Sequence, residues 1–179
     1  TPDMLNVIFS EVAKFCQDEL LPLYQSGDAG CTWDDGEVTT PEGFREAYRA
    51  FIDGGWTSLS GDQDYGGQGL PSSISIAINE MLATANWAWS MYPGLSEGAI
   101  ATLETHGTVE QKSRYLGKLI SGEWSGTMCL TEAHCGTDLG QIKTRAVIDD
   151  DGAYRVTGTK IYISAGEHDL TSNIVHIVL

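Results

Sequence analysis

The chain has 179 residues, enough for one ordinary domain or two small ones, and carries 25 acidic against 10 basic residues, a formal net charge of −15. Scattered Lys and Arg in such an excess of acid exclude a nucleic-acid surface and a polybasic membrane patch, because both need clustered positive charge. The four cysteines form no CxxC pair and no apolar run is long enough to span a bilayer, so we expect free thiols and a cytoplasmic protein.

Helical spacing of apolar residues dominates the first two thirds of the chain. Thr1 is typical of an N-cap, and Thr108 with Gln111 forms the pattern of a capping box. We expect Pro93 and the glycine after it to break a helix, since proline lacks a backbone donor. In chain order, the predicted helices span 1–21, 40–53 (with a second capping box at Glu42), 72–92, 95–106 and 108–119.

Short β-type runs replace the helical spacing after Trp124. Two glycine-rich connectors, 22–40 and 61–71, precede this change, and the second lacks the Lys-Ser/Thr of a phosphate-binding P-loop. Asp149–Gly152 is typical of a hairpin turn. The predicted strands span 126–131, 143–148, 153–157, 159–164 and 173–179. The sequence thus indicates an α+β chain, helical over 1–123 and β-structured over 124–179.

The most informative stretch runs from Met128 to Leu139, where a short apolar strand breaks into a polar turn containing Gly136 and Thr137. We call the C-terminal end of this strand and the turn that follows it, residues 128–137, the mouth of the strand. It suits a polar, planar or phosphorylated ligand, because glycine lets the backbone approach closely and consecutive N–H groups can bind an anion. On this pattern alone, a buried strand followed by an ordinary turn is the favoured interpretation.

Two motifs in this region resemble signatures of the acyl-CoA dehydrogenase family. Residues 128–139 (MCLTEAHCGTDL) are similar to its flavin-binding pattern, an apolar run, Thr-Glu-Pro, two variable residues and Gly-Ser/Thr-Asp, with Ala133 in place of the proline. Residues 158–166 (GTKIYISAG) are similar to its Gly-x-Lys-x-Trp/Phe-Ile-Thr/Ser-x-Gly, and YGGQGL at 65–70 resembles a loop that the family carries there. The Gly-Glu-His-Asp at 166–169 is similar to the branch that includes the 3-methylmercaptopropionyl-CoA dehydrogenases.

The resemblance implies an N-terminal all-helical domain over 1–123, without its first helices, followed by the first strands of a middle β-barrel domain over 124–179. The family's C-terminal helical domain would then be absent. The apolar last strand, 173–179, would be an edge with no strand after it. We therefore expect the chain to be a fragment of a longer enzyme.

The resemblance also implies that residues of both motifs bind FAD. The main-chain N–H groups of Met128 and Leu130 and the Thr131 hydroxyl would serve the pyrimidine edge of the flavin ring, where donors stabilise the negative charge of the reduced ring. Gly136 and Thr137 would face the cofactor pyrophosphate, with Thr137 also near the CoA portion of the substrate.

Tyr162 and Ser164 in the second motif complete the expected flavin contacts. By resemblance, Tyr162 would pack on one face of the ring and Ser164 would place its hydroxyl near the reacting nitrogen N5. Each has an alternative on pattern alone, since a strand aromatic usually lies in a core and a serine at a strand end is often a turn former. Glu167 and His168 would lie near the flavin or, as an alternative, in a surface turn.

The substrate is expected to lie against the segment from Met91 to Gly98, which corresponds to the part of the family that lines the acyl tail. Met91 and Gly94 are the candidate contacts here, together with Thr137 on the CoA side. Small residues leave room for an acyl chain, but its length does not follow from them.

By resemblance, the whole enzyme would remove the α-proton of an acyl-CoA with a carboxylate base and pass the β-hydride to FAD. No catalytic residue is assigned, because the base is expected in the absent C-terminal domain and Glu132 belongs to the flavin motif. No metal is expected either, since Cys129, His134 and Cys135 lack any second CxxC or HxxxH partner. The expected partners are an acyl-CoA substrate, an electron-transfer flavoprotein as electron acceptor, and further copies in a homodimer or homotetramer.

Two alternatives remain. An acyl-CoA oxidase or flavin monooxygenase of the same fold would differ in the access of oxygen to the reduced flavin. A non-catalytic binding or assembly module would complete a site only with a partner chain. For the isolated 179 residues we expect weak flavin retention or none.

Overall fold

Six α-helices and six short strands, with short π and 3₁₀ segments between them, make up the computed structural model, which describes residues 1–179. The helices are α1 Pro2–Phe15, α2 Tyr24–Ala29, α3 Phe44–Asp53, α4 Ser72–Ala85, α5 Trp87–His106 and α6 Val109–Ile120. The strands are β1 Thr32–Asp34, β2 Glu37–Thr39, β3 Ser125–Cys129, β4 Arg145–Ile148, β5 Tyr154–Thr157 and β6 Ile174–Val178. The predicted order, helices first and strands second, is confirmed apart from the β1–β2 hairpin, which lies within the connector predicted over 22–40.

The N-caps read from the sequence are present at two helices. Thr1 Oγ1 accepts a hydrogen bond from Met4 N at 3.4 Å at the start of α1. Thr108 and Gln111 form the reciprocal capping box of α6, with bonds of 2.9 and 3.2 Å. The capping box expected at Glu42 does not form, because the chain adopts a left-handed conformation at Gly43 and α3 begins only after it.

The core of the helical part is built around Trp89, which is completely buried. Its ring lies 5.8 Å from that of Phe15, 5.3 Å from Phe51 and 6.2 Å from Tyr48, so aromatic side chains of α1 and α3 converge on α5. The indole N–H donates to the Phe44 carbonyl at 3.2 Å, which satisfies the single polar group of this side chain.

The expectation that Pro93 breaks a helix is wrong. The break lies instead at Asn86, whose extended backbone separates α4 from α5 and whose Oδ1 accepts from Trp89 N at 3.0 Å. Helix α5 then runs through Pro93 without interruption. An internal proline costs about 3 kcal/mol, and burial of Trp89, Tyr92 and Ile100 on the same helix offsets that cost.

The strands form three two-stranded sheets. Strand β3 pairs in parallel with β6, from Ser125 opposite Ile174 to Cys129 opposite Val178, so the last strand has a partner earlier in the chain. Strands β4 and β5 form an antiparallel hairpin around the predicted turn. The strand predicted over 159–164 does not form, because the chain bends there through left-handed residues.

Helix α5 packs against β3 and so joins the helical part to the β part. Gly126 lies against this helix so closely that a Cβ there would collide with Ala99, and its N–H donates to Ser96 Oγ at 3.0 Å. The glycine in β3 is therefore required by the approach of helix and strand. Among the six helices, the structure contains none with both the length and the apolar character of a membrane span.

Candidate functional site

The mouth of β3 presents main-chain donors along its free edge. A parallel ladder bonds alternate residues, and the bonds Ser125 N to Asn173 O (3.1 Å) and Leu179 N to Cys129 O (3.1 Å) place the odd-numbered residues of β3 toward β6. The N–H groups of Met128 and Leu130 consequently point to the opposite edge. These are the two donors that the sequence predicted for a flavin ring.

The two sequence motifs lie side by side at this mouth. Ile161 N–H donates to the Thr131 carbonyl at 2.8 Å, and Lys160 Nζ donates to the Leu130 carbonyl at 2.9 Å. Two segments about thirty residues apart in sequence are thereby held in direct contact, as motifs that contribute to one site must be.

A buried carboxylate, Glu132, fixes the turn that leaves β3. It accepts hydrogen bonds from Thr144 Oγ1 at 2.6 Å and from the Lys143 and Thr144 amides at 2.9 Å. Lys160 Nζ adds an ion pair at 3.0 Å. The Thr144 hydroxyl, followed by the Lys143 amide and Lys160, holds the pKa of Glu132 far below its usual range. A carboxylate so fully engaged is an anchor, consistent with the view that Glu132 is not a catalytic base.

The polar turn after Glu132 is closed by its own backbone. Glu132 and Cys135 exchange two main-chain hydrogen bonds, of 2.8 and 3.2 Å. Possible metal ligands on Glu132, His134 and Cys135 lie within 4.8 Å of one another. However, the Glu132 oxygens are already bonded, and His134 Nε2 is bonded to the Gln141 carbonyl at 2.9 Å, so these groups serve the turn itself.

Gly136 lies directly over Thr131. A Cβ added at Gly136 would meet the Thr131 side chain at 3.8 Å, an ordinary van der Waals contact, and its backbone is not left-handed. Neither packing within the chain nor conformation therefore requires a glycine at this position. Thr137, the next residue, is exposed. This surface is consistent with the close backbone approach to a ligand that the sequence predicted.

Tyr162 and Ser164 both lie on an exposed turn beside Thr131. The Tyr162 side chain is 88% exposed, so the alternative that it is a core strand aromatic is wrong. Ser164 occupies a turn closed by a bond from Gly166 N to Ile163 O at 3.2 Å, as the turn-former alternative expected. Both side chains are accessible to a ligand at the mouth of β3.

Met91 and Gly94 line one groove on α5, of about 330 Å³, between this helix and α4. Glu97 lines the same groove and a neighbouring one of about 380 Å³, and it accepts a hydrogen bond from Asn79 Nδ2 at 2.6 Å. Burial raises the pKa of Glu97 although the Asn79 bond acts in the opposite direction. The candidate substrate residues thus share a groove with a carboxyl group that the sequence reasoning did not single out.

His168 is 5% exposed, so the alternative that the segment 166–169 is a surface turn is wrong for this residue. Its ring packs edge-on against Tyr92 of α5, with centroids 5.2 Å apart. The next residue, Asp169, forms an ion pair with Arg45 of α3 at 3.0 Å. This segment therefore joins the second motif to the helical part of the molecule.

Sequence reasoning also missed the anchoring groups Lys160 and Thr144. Lys160 stands inside the second motif, and a lysine there could have been matched with the acidic residue of the first motif. Thr144 carries no comparable signal, because its partner Glu132 lies 12 residues earlier across an irregular loop.

A model of the acyl-CoA dehydrogenase N-terminal domain matches residues 4–123. The chain is 44% identical over 178 residues to 3-methylmercaptopropionyl-CoA dehydrogenase of Ruegeria pomeroyi, an alignment that covers 99% of this chain and 30% of that protein. The chain therefore spans less than a third of the length of this relative.

Solved structures show the same similarity. Butyryl-CoA dehydrogenase of Megasphaera elsdenii matches with a TM-score of 0.77 and 26% identity, covering 97% of this chain and 43% of that one. An acyl-CoA dehydrogenase of Bacillus anthracis, solved with FAD, shares the fold with a TM-score of 0.75 at 24% identity, covering 98% of this chain and 28% of that one.

Proposed function

This chain belongs to the acyl-CoA dehydrogenase family, and on that premise we propose that the whole protein is an FAD-dependent acyl-CoA dehydrogenase that introduces a double bond between the α and β carbons of an acyl-CoA thioester. Residues 1–123 would form its N-terminal helical domain and residues 124–179 the first part of its middle β domain. The family membership supports oxidoreductase chemistry.

The contact between Ile161 N and Thr131 O, at 2.8 Å, is the observation that carries this proposal. It joins the two flavin-type motifs beside the free Met128 and Leu130 donors. FAD fits this surface because an aromatic side chain, hydroxyl groups and main-chain donors are exposed together, and Gly136 has no structural reason within the chain to be glycine. When bound, FAD supplies the acceptor for the β-hydride.

The residues of this chain would bind and orient the cofactor and the substrate. Met128 and Leu130 N–H and the Thr131 hydroxyl would donate to the pyrimidine edge of the ring, and Gly136 and Thr137 would approach the pyrophosphate. Tyr162 would cover one ring face, and the Ser164 hydroxyl would lie near N5. Such fixed donors favour charge that develops during the reaction.

Substrate binding would use Met91 and Gly94 for the acyl tail and Thr137 for the CoA side. The α-proton requires a carboxylate base, and Glu132 is unsuitable because its oxygens are saturated by donors. We assign the base to a part of the whole protein outside these residues. An electron-transfer flavoprotein would reoxidise the enzyme, which would act as a homodimer or homotetramer.

Purified full-length protein tests the proposal directly. We expect a stoichiometric flavin spectrum that bleaches anaerobically when butyryl-CoA or 3-methylmercaptopropionyl-CoA is added. Rapid reoxidation by oxygen would instead indicate an acyl-CoA oxidase or a monooxygenase. Absence of bound flavin after reconstitution would refute the proposal and favour a binding module.

Thr131→Val supplies a site-specific variant, since it removes the hydroxyl and keeps the shape of the side chain. We expect flavin affinity to fall about tenfold, which corresponds to roughly 1.4 kcal/mol. Thr84→Val on α4 is the matched control, because its hydroxyl only bonds the Glu80 carbonyl at 2.7 Å. Equal flavin affinity in the two variants would contradict the role of Thr131.

A further inference from the structure

The turn that carries Ser164 contains two residues in an unfavourable backbone conformation. Tyr162 has φ 57° and Ala165 has φ 53°, both in the left-handed region that non-glycine residues rarely adopt. Such conformations persist only where the surrounding structure imposes them. The Tyr162 side chain is 88% exposed, so its own packing does not hold the turn.

The start of the turn is fixed at the mouth of β3. Ile161 N–H donates to Thr131 O at 2.8 Å, and Lys160 Nζ contacts Leu130 O at 2.9 Å and Glu132 Oε1 at 3.0 Å. These bonds determine where the chain enters the turn. They leave its far end, after Ala165, free to move unless a second anchor holds it.

Asp169 provides that second anchor. Its Oδ1 accepts from Thr40 N at 3.1 Å and from Thr40 Oγ1 at 2.7 Å. Arg45 contacts Oδ2 at 3.0 Å and bonds the Asp169 carbonyl through Nε at 3.1 Å and Nη2 at 2.8 Å. Burial alone would raise the pKa of Asp169, but the Thr40 bonds and the Arg45 charge outweigh it and the pKa lies below its ordinary value.

His168 reinforces the same anchor. Leu170 N–H donates to His168 Nδ1 at 3.1 Å, which places the ring proton on Nε2, where it is donated to Ser125 Oγ at 2.9 Å. The ring packs edge-on against that of Tyr92 on α5. Through these contacts the chain after the turn is fixed both to β3 and to the helical part.

We propose that Asp169 is a positioning residue, which with His168 clamps the strained turn over 162–165 between β3 and the helical part and so sets where Tyr162 and Ser164 meet the flavin. This inference rests on the proposed function. It assigns to Asp169 a role that acts through the turn, by holding Tyr162 and Ser164 in place. Displacement of reacting groups by about 1 Å can cost up to about 100-fold in rate.

Full-length holoenzyme carrying Asp169→Ala tests this role. We expect kcat to fall about 10- to 100-fold, with a smaller change in KM and an altered absorption spectrum of the bound flavin. Asp169→Asn keeps a side-chain oxygen that can accept from Thr40, which Asp169→Ala lacks, so it should restore part of kcat and of the spectrum. Arg45→Met, which removes the other side of the clamp, should change kcat and the spectrum in the same direction even if Asp169→Ala does not fold.

Two controls separate positioning from general stability. Thr108→Ala removes the N-cap of α6, and Asp149→Ala removes an exposed ion pair with Arg155 at 2.7 Å in the β4–β5 hairpin. Both should leave kcat within about twofold of the wild-type value, a difference below roughly 0.5 kcal/mol. Both should also leave the absorption spectrum of the bound flavin unchanged.

The inference is overturned if Asp169→Ala and Arg45→Met melt earlier than the wild type but keep its kcat and flavin spectrum. That outcome would leave the proposed function intact. A wild-type protein without flavin or acyl-CoA dehydrogenation would refute the proposed function, and this inference with it.

Discussion

Trp89 and Glu132 are both buried, with exposures of 0% and 5%, but the groups around them differ in kind. Around Trp89 the contacts are rings of α1 and α3, and one hydrogen bond satisfies the indole. Around Glu132 the contacts are amides, a hydroxyl and an ammonium group from two loops. We call these regions the aromatic centre (Phe15, Tyr48, Phe51, Trp89) and the carboxylate centre (Glu132, Lys143, Thr144, Lys160).

The comparison shows that stability and site geometry depend on different parts of this molecule. Dispersion and burial are non-directional, so the aromatic centre stabilises the helices without specifying fine positions. Hydrogen bonds are directional, so the carboxylate centre determines how the two motifs lie against each other. The hairpin of β4 and β5 buries little apolar surface, since Val147 and Tyr154 remain 63% and 65% exposed. The β part of this chain therefore depends more on hydrogen bonds than the helical part does.

Trp89→Ala should have the largest effect on stability, a loss of about 3–5 kcal/mol, because it opens a cavity and removes the indole hydrogen bond to the Phe44 carbonyl. Equilibrium unfolding in urea followed by far-UV circular dichroism measures this loss. Trp89→Phe is the control and should lose less, since it keeps an aromatic ring. Equal losses in the two variants would contradict the role of burial at the aromatic centre.

Glu132→Gln should come second and act mainly on the site. The amide accepts through one oxygen only and leaves Lys160, whose side chain is 10% exposed, without a counter-charge. We expect earlier melting and, in the full-length protein, loss of most bound flavin. Thermal melting and flavin absorbance after gel filtration measure the two effects.

A matched control for this variant is Glu123→Gln, whose carboxylate pairs with Lys118 at 2.6 Å on the surface. Exposed pairs contribute about 0–1 kcal/mol, so melting and flavin content should barely change. The double variant Glu132→Gln, Lys160→Met removes the uncompensated charge and should recover part of the melting temperature without recovering flavin. If Glu132→Gln behaves like Glu123→Gln, the carboxylate centre has no special role.

The aromatic centre could be predicted from the sequence better than the carboxylate centre could. Apolar spacing in α1 and the caps at Thr1 and Thr108 are local signals, and the structure confirms them. The break at Asn86 also had a local signal, an asparagine before Trp87, but the proline seven residues later was the stronger pattern. Tertiary packing keeps α5 helical through Pro93, although the proline predicts a break there.

The candidate site was predicted at the level of its motifs, and its supporting contacts were not. The adjacency of the motifs followed from resemblance, whereas the bonds from Thr144 to Glu132 and from Thr40 to Asp169 join segments far apart in sequence. No periodic pattern marks such pairs, because irregular loops rather than strands carry them. For the same reason, the bend at Tyr162 replaced the strand predicted over 159–164.

His168, which joins β3 to the helical part, should make the stability of the chain depend on pH. Burial, opposed in part by the charges of Glu167 and Asp169, lowers the pKa of His168 below its ordinary value. The unfolded chain then binds a proton more readily than the folded chain, so this contribution to stability is present above about pH 6.5 and is lost as pH falls through the lower folded-state pKa.

Melting temperatures measured between pH 8 and pH 5 test this sign. We expect the wild type to lose stability toward pH 5, and His168→Gln to start lower at pH 8 and lose less on acidification. His106→Gln, at the exposed C-terminal end of α5, is the control and should keep the wild-type slope. Parallel curves for wild type and His168→Gln would show that His168 does not titrate with unfolding.

Gly136→Ala should have the smallest effect on stability and a clear effect on function, which separates the two parts most sharply. The added methyl group would make only ordinary contacts with Thr131, so the free energy of unfolding should change by less than about 0.5 kcal/mol. Flavin affinity of the full-length protein should nevertheless fall about tenfold, or roughly 1.4 kcal/mol, because the methyl group occupies the surface that the backbone would offer to the cofactor.

Gly140→Ala is the matched control for this last variant. A Cβ at Gly140 would meet Asp138 Oδ1 at 3.4 Å, again without a left-handed backbone, and Gly140 lies outside the motif that carries Gly136. Flavin titration followed by fluorescence quenching should give wild-type affinity for Gly140→Ala and weaker affinity for Gly136→Ala. If both variants bind flavin alike, the mouth of β3 is not where the cofactor approaches the backbone.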